Sequence, residues 1–190
     1  MANKDAAFGL RPIGKVGQND ANQGLSEYSV SASSAAIYFQ DPVRAASQGT
    51  IRVAAAGETL IGSLNGIFFT DANTSKPTFA NNLKASNTAT DIVAFVADDP
   101  YERFEVQSNN AAASAQTDVF MNADIVVSAG VVANFVSNSM LDDATLSTTS
   151  GQLKIIGPST NVDNNEVASG YVNWVVMINE HIYNSATAGI

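Results

Sequence analysis

The stretch that decides the fold is Tyr171-Val-Asn-Trp-Val-Val-Met-Ile-Asn-Glu-His-Ile-Tyr183 near the end of the chain. Alternation along it places one apolar set of side chains on a single face: Val172, Trp174, Val176, Ile178 and Ile182. The opposite face carries the polar set: Asn173, Asn179 and His181. Because side chains alternate between the two faces of a strand, this period of two predicts a half-buried β-strand. We expect Trp174 in the core and His181 facing solvent or an interface.

Composition extends this prediction to the whole chain. Ser, Thr and Asn make up 51 of the 190 residues, whereas Lys and Arg together make up only 9. Helical surfaces favour long side chains such as Lys and Glu, while Ser, Thr and Asn compete for backbone hydrogen bonds and favour turns and strands. Short strand signals recur between turn signals, as in a sandwich or small barrel. We therefore predict a mainly β fold, a compact β-sandwich or small barrel, with one short helix at about 113–121.

The N-terminal residues differ from the rest of the chain. Residues 1–24 contain an apolar stretch interrupted by Gly and Pro, followed by a turn-rich linker at 18–24. Without periodicity this segment cannot build a core of its own, so its side chains must pack on the rest of the protein or on a partner. We predict an extended N-terminal arm over 1–24 and a β-rich body over 25–190.

Charge is distributed unevenly between the two parts of the sequence. Residues 1–84 hold seven basic and six acidic side chains, a net charge of +1. Residues 85–190 hold two basic and twelve acidic side chains, a net charge of −10. Binding to nucleic acid requires clustered Lys and Arg, so no nucleic-acid partner is expected. No apolar run approaches the roughly 18 residues of a membrane helix, so no membrane partner is expected either.

Motifs for catalysis or cofactor binding are weak. The segment Gly9-Leu-Arg-Pro-Ile-Gly-Lys15 matches the start of a phosphate-binding loop, but Val16 replaces the hydroxyl residue that binds magnesium. Pro12 also removes an amide that would contact phosphate. We therefore predict no nucleotide or other cofactor.

Neither the histidine nor the paired carboxylates indicate an enzyme. His181 is the single histidine, and the sequence contains no Gly-x-Ser-x-Gly motif with a serine nucleophile that it could activate. Adjacent acids at 98–99 and 142–143 are typical of turns. The loop Asn161-Val-Asp-Asn-Asn-Glu166 loosely resembles a calcium loop, but it lacks the central Gly and distal Glu. We predict no catalytic residues and no metal site, with a weak cation in that loop left open.

Six segments, which together span nearly the whole chain, follow one another in a distinctive order: 6–14, 64–71, 75–79, 89–100, 104–107 and 178–183. This order of segments resembles that of the small virion structural proteins of tailed bacteriophages, especially marine phages. Within these proteins, the pattern from Asp41-Pro-Val-Arg44 to Ile61-Gly-Ser-Leu64 is similar to capsid decoration, or cement, proteins. The chain is longer than the minimal decoration proteins.

The resemblance implies a non-enzymatic protein that binds the outer surface of the major capsid protein lattice and stabilises the head. It implies a homo-oligomer, with a trimer favoured, that is made in the host cytoplasm and located on the virion. The arm is the expected docking element, through strand addition to the shell protein, and we expect it to be disordered until it docks. Its candidate contact residues are Phe8, Leu10, Arg11, Pro12 and Ile13.

Two alternatives remain open. The protein could instead be a tail, neck or fibre-base component, which differs from a decoration protein in its location on the virion. It could also be a carbohydrate-binding β module, which needs an exposed aromatic platform. The aromatic residues available for such a platform are Tyr28, Tyr38, Trp174 and Tyr183.

Overall fold

The structure is a computed structural model and describes residues 3–17 and 24–184. Its twelve strands, in chain order, are β1 (Arg11–Lys15), β2 (Ser26–Val30), β3 (Pro42–Ala46), β4 (Thr50–Val53), β5 (Gly62–Thr70), β6 (Pro77–Ala80), β7 (Val93–Ala97), β8 (Glu102–Gln107), β9 (Asn122–Val126), β10 (Met140–Ser147), β11 (Leu153–Pro158) and β12 (Asn173–Ile178).

Six strands form an antiparallel sheet in the order β1-β8-β12-β11-β9-β10. β1 lies at one edge of this sheet and pairs with β8, so that Arg11 is opposite Glu105. At the other edge, a parallel bridge between Ser108 and Leu141 brings β10 next to the end of β8. The first sheet therefore curves back towards itself.

The other six strands form a sheet in the order β3-β4-β2-β7-β5-β6, and β3 also pairs with β5. This additional pairing closes β3, β4, β2, β7 and β5 into a five-stranded barrel, with β6 added on the outside of β5. β2 and β4 run parallel, and the other paired strands of this sheet run antiparallel. The predicted mainly β, compact barrel class is confirmed.

Each sheet has an apolar core. The first core contains Phe104 and Trp174, both fully buried, and it also takes in Leu60 and Ala97 from the part of the chain that forms the barrel. The second core fills the barrel and includes Leu64. Because barrel residues contribute to the first core, the two sheets pack against each other.

The strand that began the sequence analysis is shorter than predicted. β12 covers Asn173–Ile178, and its predicted apolar face is buried, from Val172 through Trp174 and Val176 to Ile178. This part of the prediction is confirmed, because the alternation continues as far as the strand does. Asn173 is also buried, because chain 3–11 and loop 161–166 cover the other face of β12.

The prediction for His181 is wrong. Its side chain is fully buried instead of facing solvent or an interface. The strand ends at Ile178 and the chain then turns, so alternation no longer fixes the direction of the side chains. Leu60 holds the turn by donating its N–H to Glu180 and accepting the N–H of Ile182, both at 2.9 Å.

The predicted helix at about 113–121 is a single 3₁₀ turn at Gln116–Asp118. The Asp118 carboxylate accepts the N–H of Ala115 at 2.8 Å and so caps the start of the turn, but Val119 is already in an extended conformation and ends it. Phe120 then takes a φ of 74° and is 76% exposed, so it does not bury the inner end of a helix.

Candidate docking surfaces

The five predicted capsid-contact residues lie in β1 and just before it. Leu10 is fully buried in the first core. The other four are half-buried: Phe8, Arg11, Pro12 and Ile13. Residues 3–17 therefore belong to the body, and the expectation of an arm that orders only on docking is wrong for them. Residues 18–23 of the predicted arm lie outside the described residues.

Backbone contacts fix the start of β1. Leu10 donates its N–H to the carbonyl of Gln40 at 2.9 Å, and its own carbonyl accepts the hydroxyl of Ser63 at 2.5 Å. Gly9 precedes it with a φ of +80°, and a Cβ at that position would lie 2.2 Å from the Gln40 carbonyl oxygen. Only glycine fits this close approach, so Gly9 allows the segment to pack against the backbone of Gln40.

Arg11 is committed to contacts within the chain. Its guanidinium donates to the carboxylate of Glu105, with Nε at 3.1 Å from Oε2, and lies 4.6 Å from the centre of the Phe8 ring. Glu105 is only 3% exposed and also accepts the side-chain amide of Asn173 at 3.3 Å. A buried carboxylate without a partner is costly, so Arg11 has a structural role.

A polar groove of about 550 Å³ lies between the N-terminal segment and the loop at 161–166. Asn164 holds the two sides together, because its Oδ1 accepts the N–H of Lys4 at 2.8 Å and its Nδ2 donates to the Lys4 carbonyl at 2.6 Å. Asn161 likewise accepts the N–H of Asp163 at 3.3 Å. These amide oxygens are used within the chain. In residues 3–17 and 24–184, no group of three His, Cys, Asp or Glu side chains is placed to hold a metal ion.

A second surface collects exposed apolar side chains from four separate parts of the chain. We name it the terminal patch, and its members are Val16 (53% exposed), Leu25 (39%), Tyr101 (58%) and Tyr183 (60%). Val16 donates its N–H to the carbonyl of Tyr101 at 3.1 Å. Leu25 and Tyr183 line a shared groove of about 330 Å³ with Pro100. The four residues thus lie around the turn between β7 and β8.

Polar contacts hold the rim of the terminal patch. Lys15 pairs with Asp99 at 2.6 Å, and this hydrogen bond raises the pKa of the Lys15 amine and lowers the pKa of the Asp99 carboxyl. The hydroxyl of Tyr28 donates to Asp98 at 2.5 Å and lies 2.6 Å from the hydroxyl of Tyr183. Burial and the Asp98 carboxylate raise the pKa of Tyr28, so its phenol stays protonated and anchors Tyr183.

Two buried titratable groups lie beneath this surface. His181 accepts the N–H of Tyr183 through Nδ1 at 3.1 Å, and burial lowers the pKa of its imidazole. Glu102 is 2% exposed, and burial raises the pKa of its carboxyl. Nε2 of His181 and Oε1 of Glu102 have no partner of normal hydrogen-bond geometry among the described residues. Because the pKa of His181 is lowered, its imidazole is neutral near pH 7.

Trp174 is not part of an exposed aromatic platform of the kind that a carbohydrate-binding module needs. Trp174 is fully buried in the first core, and the ring of Tyr38 packs against Gly130, where a Cβ would lie 2.3 Å from the ring. Tyr28 is half-buried, and Tyr183 alone of the four candidates is mostly exposed. Tyr101, which sequence reasoning did not select as an aromatic candidate, is also exposed and directly follows Pro100, which lines a groove with Tyr183.

Sequence reasoning missed the terminal patch as a whole. Its members are separated by up to 167 positions, from Val16 to Tyr183, and none lies in a motif. The one signal in the sequence is the turn Asp98-Asp-Pro-Tyr101, which predicts an exposed hairpin connection. Nothing in that turn shows which other segments surround it.

Comparisons of the chain with known protein families, with curated proteins and with solved structures returned no match. In the part of the chain that the structure describes, no helix is long and apolar enough to cross a membrane.

Proposed function

We propose that this chain is a non-enzymatic decoration protein, which binds the outer surface of the major capsid protein lattice of a tailed phage and stabilises the head. The terminal patch is the observation that carries the proposal. Four exposed apolar side chains lie around the same turn there, whereas isolated surface hydrophobics are ordinary. A contiguous apolar patch with a polar rim is typical of a protein–protein interface.

The composition of the terminal patch supports a protein partner. Tyrosine is enriched at interfaces because its ring provides apolar contact area and its hydroxyl can still form a hydrogen bond. Tyr101 and Tyr183 provide two such rings, and the Lys15–Asp99 pair provides a charged rim. Contacts between Tyr28, Asp98 and Tyr183 fix the surface before binding, which lowers the entropy cost of docking.

Charge supports a location outside the shell. A protein with a formal net charge of −9 is repelled by packaged nucleic acid, and on the outer surface of the shell the protein is separated from that nucleic acid. We propose that the protein is made in the host cytoplasm and acts on the virion as a homo-oligomer, with a trimer favoured. Docking residues on the N-terminal segment are limited in this proposal to Phe8, Pro12 and Ile13, because Leu10 is in the protein's own core and Arg11 pairs with Glu105.

Deleting the first 24 residues is a poor test, because it would remove β1 from the sheet and Leu10 from the first core. Single substitutions on the terminal patch avoid this problem. We expect Tyr101→Ser and Val16→Ser each to weaken binding to capsids assembled without this protein by about tenfold or more. Phe120→Ser is the matched control, since Phe120 is as exposed as the patch residues but lies elsewhere.

Co-sedimentation of the full chain with such capsids measures the affinity of each variant. Equal affinities for wild type and both patch variants would contradict docking through the terminal patch. Cryo-electron microscopy of complete virions tests the location, because a decoration protein occupies the capsid lattice. Density on the tail, neck or fibre base alone would favour the alternative virion role.

A further inference from the structure

Two Asp–Pro peptide bonds occur in the chain, Asp41–Pro42 and Asp99–Pro100. The side-chain carboxyl of an aspartate can attack the main-chain carbonyl carbon of the same residue, because this closes a five-membered ring. Proline has no N–H, so the competing attack of the next backbone nitrogen on the side chain is excluded. Its nitrogen can leave as a secondary amine once it receives a proton. Both bonds therefore have the same latent chemistry, and their surroundings differ.

The carboxyl of Asp41 is buried and incompletely paired. Asp41 directly precedes β3 and is 3% exposed. Its Oδ2 accepts the N–H of Tyr38 at 2.7 Å, whereas Oδ1 has no partner of normal hydrogen-bond geometry among the described residues. Because no hydrogen bond has to be broken to use it, Oδ1 is available as a nucleophile.

Backbone hydrogen bonds hold both sides of the Asp41–Pro42 bond. The Asp41 carbonyl accepts the N–H of Leu64 at 3.0 Å, and the Pro42 carbonyl accepts the N–H of Ala54 at 2.9 Å. Gln40, which precedes Asp41, has a φ of 66°, a conformation that is uncommon for a residue other than glycine. The Leu64 N–H is placed to stabilise the negative charge that develops on the carbonyl oxygen during attack.

The carboxyl of Asp41 can also supply the proton that the leaving nitrogen needs. Burial raises the pKa of Asp41 to about 6, against the opposing effects of the Ser137 hydroxyl and the Tyr38 N–H. Among the described residues, no charged side chain contributes to this shift. The carboxyl is therefore protonated in mild acid, where an ordinary aspartate is still ionised.

The Asp99–Pro100 bond is a natural control within the same chain. The Asp99 carbonyl also accepts a backbone N–H at 3.0 Å, from Glu102. Both carboxylate oxygens of Asp99 are paired, since Oδ2 lies 2.6 Å from the Lys15 amine and Oδ1 accepts the N–H of Tyr101 at 2.8 Å. The pair with Lys15 lowers the pKa of the Asp99 carboxyl. The two bonds thus differ chiefly in the state of the carboxyl group.

We infer that the chain cleaves its own Asp41–Pro42 bond in mild acid, with Asp41 as the nucleophile. Oδ1 forms a bond to the Asp41 carbonyl carbon, the carboxyl proton passes to the Pro42 nitrogen, and the C–N bond breaks with its electron pair on that nitrogen. The product on Asp41 is a cyclic anhydride, which one water molecule opens to two carboxyl groups. The net reaction is hydrolysis of one peptide bond, and it depends neither on the terminal patch nor on capsid binding.

The cleaved chain is expected to stay assembled. The fragment 1–41 contains β1, which pairs with β8, and β2, which pairs with β4 and β7. These pairings join it to the fragment 42–190 across both sheets. The two fragments should therefore elute together in size-exclusion chromatography of the native protein and separate only when the protein is denatured.

The test is incubation of the full chain over days at about pH 5 and about pH 8, followed by denaturation and intact mass spectrometry. We expect the masses of 1–41 and 42–190 to appear at pH 5, at least about tenfold faster than at pH 8. Cleavage at Asp99–Pro100 should also be at least about tenfold slower, because at pH 5 a carboxyl with a pKa of about 6 is mostly protonated and one below 3.8 is mostly ionised.

Variants and unfolding separate this reaction from general acid hydrolysis. Asp41→Asn should slow cleavage at position 41 at least about tenfold, whereas Asp99→Asn should leave it unchanged. Ser137→Ala should move the pH profile of cleavage to higher pH, because the Ser137 hydroxyl lowers the pKa of Asp41. In urea at the same pH the preference for Asp41–Pro42 should be lost. A folded chain that stays intact at pH 5, or that is cleaved equally at both bonds, would overturn the inference.

Discussion

Replacing Asp41 with asparagine is expected to remove a large part of the pH dependence of folding stability. Asp41 is 3% exposed, and its Oδ2 accepts the N–H of Tyr38 at 2.7 Å, while Oδ1 has no partner of normal hydrogen-bond geometry. Burial raises the pKa of Asp41 to about 6, against the opposing effects of the Ser137 hydroxyl and the Tyr38 N–H. Asparagine keeps the acceptor for Tyr38 and carries no charge.

The direction of the pH effect of Asp41 on folding stability follows from which state binds the proton more tightly. The carboxyl has a pKa of about 6 in the folded protein and 3.8 as its reference value, so the folded state binds the proton first as pH falls. Asp41 therefore destabilises the fold at pH 7, and this cost disappears progressively between about pH 6 and about pH 4. The full difference is about 3 kcal/mol, of which about 2 kcal/mol falls between pH 7 and pH 4.5.

Urea unfolding followed by the fluorescence of the buried Trp174 measures this effect at about pH 7 and about pH 4.5. The change in unfolding free energy between the two pH values should differ between wild type and Asp41→Asn by about 2 kcal/mol. Asp163→Asn, at an exposed loop position, is the control and should follow wild type. If the unfolding free energy of Asp41→Asn had the same pH dependence as that of wild type, the assignment of a buried carboxyl with a raised pKa to Asp41 would be refuted.

Three further predictions test the N-terminal segment and the buried histidine. Leu10→Ala should lower the unfolding free energy by about 3 kcal/mol in urea titrations, because Leu10 is a core residue. A loss below about 0.5 kcal/mol would show that Leu10 is not part of the core. Gly9→Ala should destabilise far more than Gly57→Ala in the same assay, since both have positive φ but only Gly9 is in close contact; equal losses would show that φ alone matters. The imidazole of His181 should titrate below 6.5 in NMR spectra, because burial lowers its pKa. Since the unfolded chain then binds the proton first, the unfolding free energy should decrease as pH falls below 6.5. A titration midpoint above 6.5 would contradict the burial of His181.

Local periodicity predicted the core side of β12 but not its length. Val172 to Ile178 are buried as expected, because cross-strand pairing with β8 and β11 preserves the alternation of side chains. His181 follows the same alternation in the sequence, but the strand has ended before it. The length of a strand depends on how far its neighbours extend, and no pattern within the strand records this.

The site was less predictable than the fold. The sequence predicted Leu10 as a capsid-contact residue with two possible places of burial, this protein or a partner, and its burial in the first core contradicts the capsid contact. Burial within this protein depends on Gln40 and Ser63, which are 30 and 53 positions from Leu10 along the chain. The Gln40 carbonyl accepts the Leu10 N–H, and the Ser63 hydroxyl donates to the Leu10 carbonyl.

The sequence alone determined that this is a mainly β protein with an acidic second half and with Trp174 in its core. Those properties are local or summed over the chain, so composition and a period of two are enough to establish them. The tertiary structure decided that β1 belongs to the body, that His181 is buried, and that four distant residues meet as the terminal patch. These outcomes depend on pairing between segments far apart in the chain, where the order of strands and the closure of the barrel determine which residues become neighbours.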